Sequence, residues 1–242
     1  MQTLIFHMHG LGDMVMFAPT FNQLPNKKKT VDIVVFENNT IEPIKASKKI
    51  NRIYYCNSSY LILVFNLLKI FLNKYELLIF SNNSSPIKSL IVSFLLKANK
   101  KVLLSEGKIF FKPQNIKIIK VNRNLHKIYR NLLLINLKKN NKIDTSLYFE
   151  KVKLPPKLIK SKINVGIHPG SNLKNGDKRW DLEKYKIIID YLIKKKCNVF
   201  IFVGKYENEI LNKLKFKSKN LKIILNKDLK YVAELIKNLD LL

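Results

Sequence analysis

The chain has 242 residues, of which 47% are hydrophobic and 10% aromatic, and this apolar content excludes an intrinsically disordered protein. Its 45 Lys and Arg residues outnumber 17 Asp and Glu residues, which gives a formal net charge of +28. Such a charge favours a polyanionic partner, namely nucleic acid, an anionic membrane or a phosphorylated glycolipid. It is equally typical of the Lys-, Asn- and Ile-rich composition that an AT-rich genome produces.

Neither a signal peptide nor a membrane-spanning helix is indicated. The N-terminus lacks a basic segment and a small-residue cleavage site. The most apolar stretch, residues 60–72, is too short to span a bilayer and contains Asn66 and Lys69. The two cysteines, Cys56 and Cys197, lie far apart and in no metal-like spacing, as is typical of reduced cysteines in a cytoplasmic protein.

The first 150 residues alternate between short β-branched runs and longer helical segments. We expect strands near 4–6, 31–36, 52–56, 77–80 and 101–104, and helices near 14–24, 60–73, 86–98 and 122–138. This alternation predicts a parallel, doubly wound α/β sheet.

Two adjacent prolines, Pro155 and Pro156, interrupt the alternation and predict a linker at 151–162 between a domain at 1–150 and a second at 163–242. After the linker we expect strands at 164–167, 198–203 and 221–225, and helices at 181–195, 205–216 and 229–238. The last residues, 238–242, are predicted to enter a further strand.

A glycine-rich turn, residues 10–13, joins the first strand to the first helix. Its glycines, Gly10 and Gly12, suggest unusual backbone angles or the close approach of another molecule. The third glycine of the dinucleotide fingerprint is replaced by Val15, so the turn is a weak match to that motif. Asp13 is either the N-cap of a helix that begins at residue 14 or a functional carboxylate at the carboxyl edge of the sheet.

Two histidines, His7 and His9, flank the same turn. Their spacing could direct both rings to one metal ion, but no third ligand is evident nearby, so we predict no metal site. We favour structural histidines over residues that line a pocket.

A second motif, residues 168–171, reads His-Pro-Gly-Ser and follows the first strand of the second half. Lys178 and Arg179 come shortly after it, close to the start of a helix. Free amides of a Gly-Ser turn together with these cations would form a phosphate cradle. The alternative is a solvated loop in which Trp180 anchors the next helix on the sheet.

Together the two motifs resemble those of the heptosyltransferase-like enzymes of bacterial lipopolysaccharide assembly, glycosyltransferase family 9. The resemblance implies the GT-B architecture, with two Rossmann-like domains, the second of them incomplete here. In this family a Gly-Asp pair followed by a proline opens the acceptor-side domain, and the matching residues are Gly12, Asp13 and Pro19. Asp13 is thereby implied as the catalytic base, with Gly10, Gly12 and His9 in the acceptor-side loop.

The same resemblance assigns donor-binding residues in the second half. Gly170 and Ser171 match the family's Pro-Gly-[Ser/Thr] turn, and Lys178 matches a lysine on the donor diphosphate. Glu207 matches the acid of a Gly-x-x-Glu turn near the donor nucleoside, although Lys205 replaces the second glycine of that turn.

The implied activity is inverting transfer of a sugar, by default heptose from ADP-heptose, to a lipopolysaccharide core or related surface glycan. The implied partners are a nucleotide-sugar donor, a lipid-linked glycan acceptor and the anionic inner face of the cytoplasmic membrane, with no metal cofactor. The family's Asp-[Ser/Thr]-Gly-x-x-His element is absent before residue 242, so the alternative is an inactive, truncated remnant. We do not expect nucleic-acid binding, because the sequence has no recognised motif for it and its lysines are dispersed.

Overall fold

The computed structural model describes residues 2–25, 27–36, 38–56, 60–81, 86–106, 115–137, 142–152, 162–170, 180–204, 207–214 and 218–242. The chain divides into two compact units, Met1–Glu150 and Lys151–Leu242. Most of the predicted linker, residues 153–161, lies outside the described residues.

Within its described residues the first unit contains six parallel strands, which confirms the predicted doubly wound sheet. The strands are β1 (Thr3–His7), β2 (Val31–Val35), β3 (Ile50–Tyr55), β4 (Tyr75–Phe80), β5 (Ala98–Ser105) and β6 (Ile116–Lys120), in the spatial order β3-β2-β1-β4-β5-β6. The helices are α1 (Leu11–Asn22), α2 (Tyr60–Leu72), α3 (Pro86–Leu95) and α4 (Lys127–Leu133), and a 3₁₀ helix spans Asn38–Ile44.

Both faces of this sheet are covered, as a parallel sheet requires. Helix α1 and the 3₁₀ helix bury Phe17, Phe21 and Ile41 against one face. Helices α2 and α3 bury Ile70 and Leu90 against the other. Strands β1 and β2 are buried along their whole length, which explains why their sequences are almost continuously apolar.

Some elements differ from the sequence prediction. Strand β6 and the 3₁₀ helix were not predicted, and the helix expected at 122–138 is limited to Lys127–Leu133. Strand β6 lies at the sheet edge, where only Ile116 of the strand is buried and two lysines interrupt the isoleucines, so its apolar signal is weak.

The second unit has a three-stranded parallel sheet, β7 (Asn164–Ile167), β8 (Asn198–Val203) and β9 (Leu221–Leu225). Helices α5 (Leu182–Lys194) and α6 (Asn208–Lys213) pack on one face, and α7 (Leu229–Ile236) packs on the other. Leu241 forms a parallel bridge with Val165 on the side of β7 that faces away from β8. The order Leu241-β7-β8-β9 therefore repeats the order β4-β1-β2-β3 of the first unit.

A buried carboxylate, Asp32, lies near the start of β2 with no solvent exposure. It accepts hydrogen bonds from the Tyr75 hydroxyl at 3.0 Å and from the Asn51 amide at 2.9 Å. Burial, followed by the negative charge of Asp32, raises the pKa of Tyr75, so the phenol stays protonated and continues to donate.

We predict that Tyr75→Phe lowers the free energy of unfolding by about 1–3 kcal/mol, because it leaves a buried carboxylate with one donor fewer. Urea denaturation followed by circular dichroism measures this change. Tyr191→Phe is the matched control, since Tyr191 is exposed on α5, and its effect should stay within about 0.5 kcal/mol. Equal effects of the two substitutions would show that Asp32 does not depend on the Tyr75 hydroxyl.

Candidate active site

The glycine-rich turn lies at the carboxyl edge of the first sheet, where it connects β1 to α1. The helix begins at Leu11 and its N-cap is Gly10, so Asp13 is the third helical residue. The prediction of Asp13 as the N-cap of a helix beginning at residue 14 is therefore wrong. The Gly10 carbonyl accepts from the amides of Asp13 and Met14, at 3.1 and 3.2 Å. A carboxylate in the first turn is favoured by the helix dipole and remains available for another role.

The two glycines of the turn do not adopt unusual backbone angles. Gly10 is extended, with φ −73° and ψ 180°, and none of the described glycines has a positive φ. The two positions instead lie in open space, because a Cβ at Gly10 or Gly12 would have no neighbouring atom within 4 Å. Of the two explanations offered by the sequence, the structure favours an open surface that another molecule can approach.

Asp13 forms an ion pair through Oδ1 with the ammonium group of Lys127, the first residue of α4. Its other oxygen, Oδ2, lies 4.0 Å from His9 Nδ1. All three side chains are partly buried. The pair with Lys127 therefore orients the carboxylate and leaves Oδ2 beside His9, at the edge where ligands bind in α/β folds.

Lys127 was not identified from the sequence. It lies 114 residues from Asp13 along the chain and belongs to no recognisable motif. The available signal was indirect: it follows a strand of the same parallel sheet, and residues that follow such strands share one edge.

The two histidines of the turn have different surroundings. His7 is buried in β1 with Nδ1 2.8 Å from the Ser81 hydroxyl, and burial, followed by the charge of a nearby His9, lowers its pKa to about 3. Burial also lowers the pKa of His9, although Asp13 opposes this shift. Both rings are thus neutral at pH 7, which fits a structural role for His7 and places His9 beside Asp13. Among the described residues, no group of three His, Cys, Asp or Glu side chains could hold a metal ion.

In the second unit the loop after β7 packs against the turn after β8. Glu207 is buried, and its Oε2 accepts a hydrogen bond from the Gly204 amide at 2.7 Å. A Cβ at Gly170 would overlap the Glu207 carboxylate, so residue 170 has to be glycine for this contact to exist. His168 is held by a 3.0 Å hydrogen bond between its Nδ1 and the Phe202 carbonyl. The structure thus brings Gly170 and Glu207 together at the carboxyl edge of the second sheet.

The other predicted donor residues cannot be placed in the same way. Ser171 and Lys178 lie outside the described residues. Trp180 is 45% exposed and meets the Tyr185 ring of α5 edge-on at 5.1 Å, so it contacts the helix while much of its side chain faces solvent. The start of α5 is instead fixed by Asp181, whose carboxylate accepts from the Glu183 amide at 3.0 Å.

Comparison with known families decides the identity of the chain. The family model described as glycosyltransferase family 9 (heptosyltransferase) matches residues 64–242. The chain belongs to glycosyltransferase family 9. It is accordingly a glycosyltransferase. Because the match begins at residue 64, the assignment of Asp13 depends on its motif and its place in the fold.

Solved structures of glycosyltransferases share this fold. E. coli heptosyltransferase WaaC with ADP aligns with a TM-score of 0.74 at 15% identity, over 99% of this chain and 79% of that one. A family 9 glycosyl transferase from Veillonella parvula gives 0.73 at 15% identity, over 99% and 74%. E. coli ADP-heptose lps heptosyltransferase II gives 0.69 at 13% identity, over 99% and 77%. No curated protein matches the chain significantly. At these identities the structural likeness establishes the GT-B fold alone.

We predict that His7 makes the protein sensitive to acid. The pKa of His7 is about 3 in the folded state against 6.5 for the free side chain, so below about pH 6.5 the unfolded chain binds a proton that the folded chain does not. The contribution of neutral His7 to the free energy of unfolding is therefore fully present above about pH 6.5. It is lost progressively as the pH falls towards about 3. Between about pH 7.5 and about pH 4 this linkage amounts to roughly 3 kcal/mol.

Urea unfolding at a series of pH values measures this dependence. His7→Gln should flatten it over that range, whatever its stability at neutral pH. His126→Gln removes an exposed histidine that also caps α4, so the slope of its pH dependence, and not its stability at neutral pH, serves as the control. A slope unchanged by His7→Gln would contradict the assignment of the acid sensitivity to His7.

Proposed function

We propose that the protein catalyses inverting transfer of a sugar from a nucleotide-sugar donor to a hydroxyl group of a lipopolysaccharide core or related surface glycan. ADP-heptose is the proposed donor, and heptose is the sugar that it transfers. WaaC, which shares the fold, has been solved with ADP and with ADP-2-deoxy-2-fluoro heptose, and this supports a donor of that class. The observation that carries the proposal is the Asp13 carboxylate, which is partly exposed, makes no cap and is oriented by Lys127.

In the proposed mechanism, Asp13 accepts the proton of the acceptor hydroxyl while the hydroxyl oxygen attacks the anomeric carbon. The new carbon–oxygen bond forms on the face opposite the nucleoside diphosphate, whose bond to the same carbon breaks, so the configuration inverts. Lys127 balances the charge of Asp13 before the proton arrives. The open space around Gly10 and Gly12, and the neutral ring of His9, would accommodate the acceptor.

The donor side of the proposal uses the second unit. Lys178, together with the amides at Gly170 and Ser171, would offset the negative charge that develops on the departing diphosphate. Glu207 would lie near the nucleoside and shape this part of the site, since its carboxylate holds the Gly204 amide and packs against Gly170. These cationic and amide groups supply the stabilisation that a metal ion supplies in other transferases, so we propose a metal-free reaction.

We also propose where the protein acts and which molecules it binds there. The acceptor would be lipid-linked, and the protein would work in the cytoplasm at the anionic inner face of the membrane, without nucleic acid. Within the described residues no helix has both the length and the apolar character needed to cross a bilayer. A net charge of +28 supports electrostatic attachment to anionic lipid.

For Asp13→Asn we expect transfer to fall by roughly 100-fold or more, because the amide cannot accept the proton. Folding should change little, since the partly exposed pair with Lys127 contributes about 0–1 kcal/mol. Release of nucleoside diphosphate in the presence of acceptor measures the rate. Asp190→Asn, an exposed substitution on α5, is the control. Near-normal transfer by Asp13→Asn would refute its role as the base.

Lys178→Ala should weaken donor binding and transfer together, by roughly 10- to 100-fold, because it removes a charge-assisted contact to the diphosphate. Titration with the donor and steady-state rates measure the two effects separately. Lys186→Ala removes the same charge from α5 and should leave both unchanged. A Lys178→Ala enzyme with normal donor affinity would contradict the proposed cradle.

A further inference from the structure

An apolar surface remains uncovered on the first unit. Helices α2 and α3 each carry a stripe of large apolar side chains that are between 54% and 83% exposed. We define the apolar face by these six residues, Phe65, Leu68 and Leu72 on α2 and Ile91, Phe94 and Leu95 on α3. Their spacings, i, i+3, i+7 and i, i+3, i+4, place each set on one side of its helix.

The two stripes point the same way. Ile70 of α2 and Leu90 of α3 are buried in one core cluster with Leu78 and Phe80 of β4. Both helices therefore cover the same face of the sheet, and the exposed stripes lie on the side of each helix that is turned away from it. Scattered apolar residues are normal on a protein surface, but two stripes of this kind on helices that cover the same face of a sheet mark a site of interaction.

The charges around the apolar face are mostly positive, with Glu76 at the start of β4 as an exposed acidic neighbour. Lys69, Lys74, Lys97 and Lys100 are exposed on α2 and in the segments after α2 and α3. The sequence has neither Asp nor Glu within residues 60–75 or 86–105. The ammonium group of Lys69 lies 4.1 Å from the centroid of the Phe65 ring, so the cation and the apolar stripe occupy the same part of the surface.

The positive charge around the apolar face favours some binding partners of that face over others. A second copy of the chain would bring the same lysines against each other, and these lysines outnumber the neighbouring Glu76. A surface of anionic lipid offers apolar chains below and negative phosphates above, which matches side chains such as Phe65 and Leu68 with lysines at their rim.

We propose that the apolar face is the surface by which the protein docks on anionic membrane. Its six side chains enter the boundary between headgroups and acyl chains, and the surrounding lysines contact lipid phosphates. This deepens the membrane attachment included in the proposed function and rests on that function for its purpose.

Vesicle co-sedimentation of the full chain tests the proposal, with phosphatidylcholine vesicles that contain phosphatidylglycerol and with pure phosphatidylcholine vesicles. The apolar variant is Phe65→Gln, Leu68→Gln and Phe94→Gln combined, which keeps the charge. The lysine variant is Lys69→Gln, Lys74→Gln and Lys97→Gln combined. Its matched control is Lys186→Gln, Lys222→Gln and Lys227→Gln, which removes the same charge from the second unit.

We expect the chain to prefer the anionic vesicles, and both the apolar and lysine variants to bind them at least about tenfold more weakly. The control should change by less than about twofold. The substituted side chains are exposed, so circular dichroism should show folded variants. If the apolar variant does not fold, the same co-sedimentation is measured with the single variant Leu72→Gln, because Leu72 is 83% exposed.

Three results would overturn the proposal. An apolar variant that binds like the unmodified chain would mean that charge alone attaches the protein. A control that loses as much affinity as the lysine variant would mean that the charge acts without regard to position. A chain that self-associates, does not bind vesicles, and becomes monomeric in the apolar variant would make the face an interface between copies.

Sugar transfer to a soluble acceptor fragment separates this proposal from the proposed function. The apolar variant should transfer to that acceptor at the unmodified rate. Transfer without vesicle binding would refute the docking surface alone, and vesicle binding without transfer would refute the transferase assignment alone.

Discussion

The position of β1 between β2 and β4 governs where the chemistry of the first unit can lie. Parallel strands need crossover connections, and these are right-handed, so the direction of each step across the sheet decides which face its helix covers. The step from β1 to β2 places α1 on one face, whereas the steps onward from β3 place α2 and α3 on the other. The connections diverge at the carboxyl ends of β1 and β4 and leave an open crevice there. Asp13 follows one of these strands and Ser81 follows the other.

The polar groups of the first unit differ in how they are stabilised. His7 and Asp32 are inside the sheet, where an unpaired charge would be very unfavourable, so one is neutral and the other is held by two donors. Asp13 is at the rim, where solvent and Lys127 both stabilise its charge. A carboxylate that is to take up and release a proton repeatedly needs such a site, because full burial would keep it in one state.

The sequence was sufficient for the parallel architecture because buried strands such as β1 and β8 consist of apolar runs with few interruptions. It failed where the signal is weak or tertiary. The N-cap of α1 is a glycine without a side-chain cap bond, so the start of the helix was placed three residues too late. The pairing of Lys127 with Asp13, and the contact of Gly170 with Glu207, depend on segments that only the folded sheet brings together. For Ser171 and Lys178 the prediction still depends on the family motif.

The contact between Gly170 and Glu207 also constrains how this part of the protein can change in evolution. The carboxylate occupies the space that a methyl group at residue 170 would need, and the same carboxylate ties down the Gly204 amide. A larger residue at 170 would therefore require a shorter or differently placed side chain at 207, and the turn at 204 would lose its acceptor. Positions 170 and 207 should thus covary among relatives, with glycine and glutamate retained or replaced together, although they lie 37 positions apart along the chain.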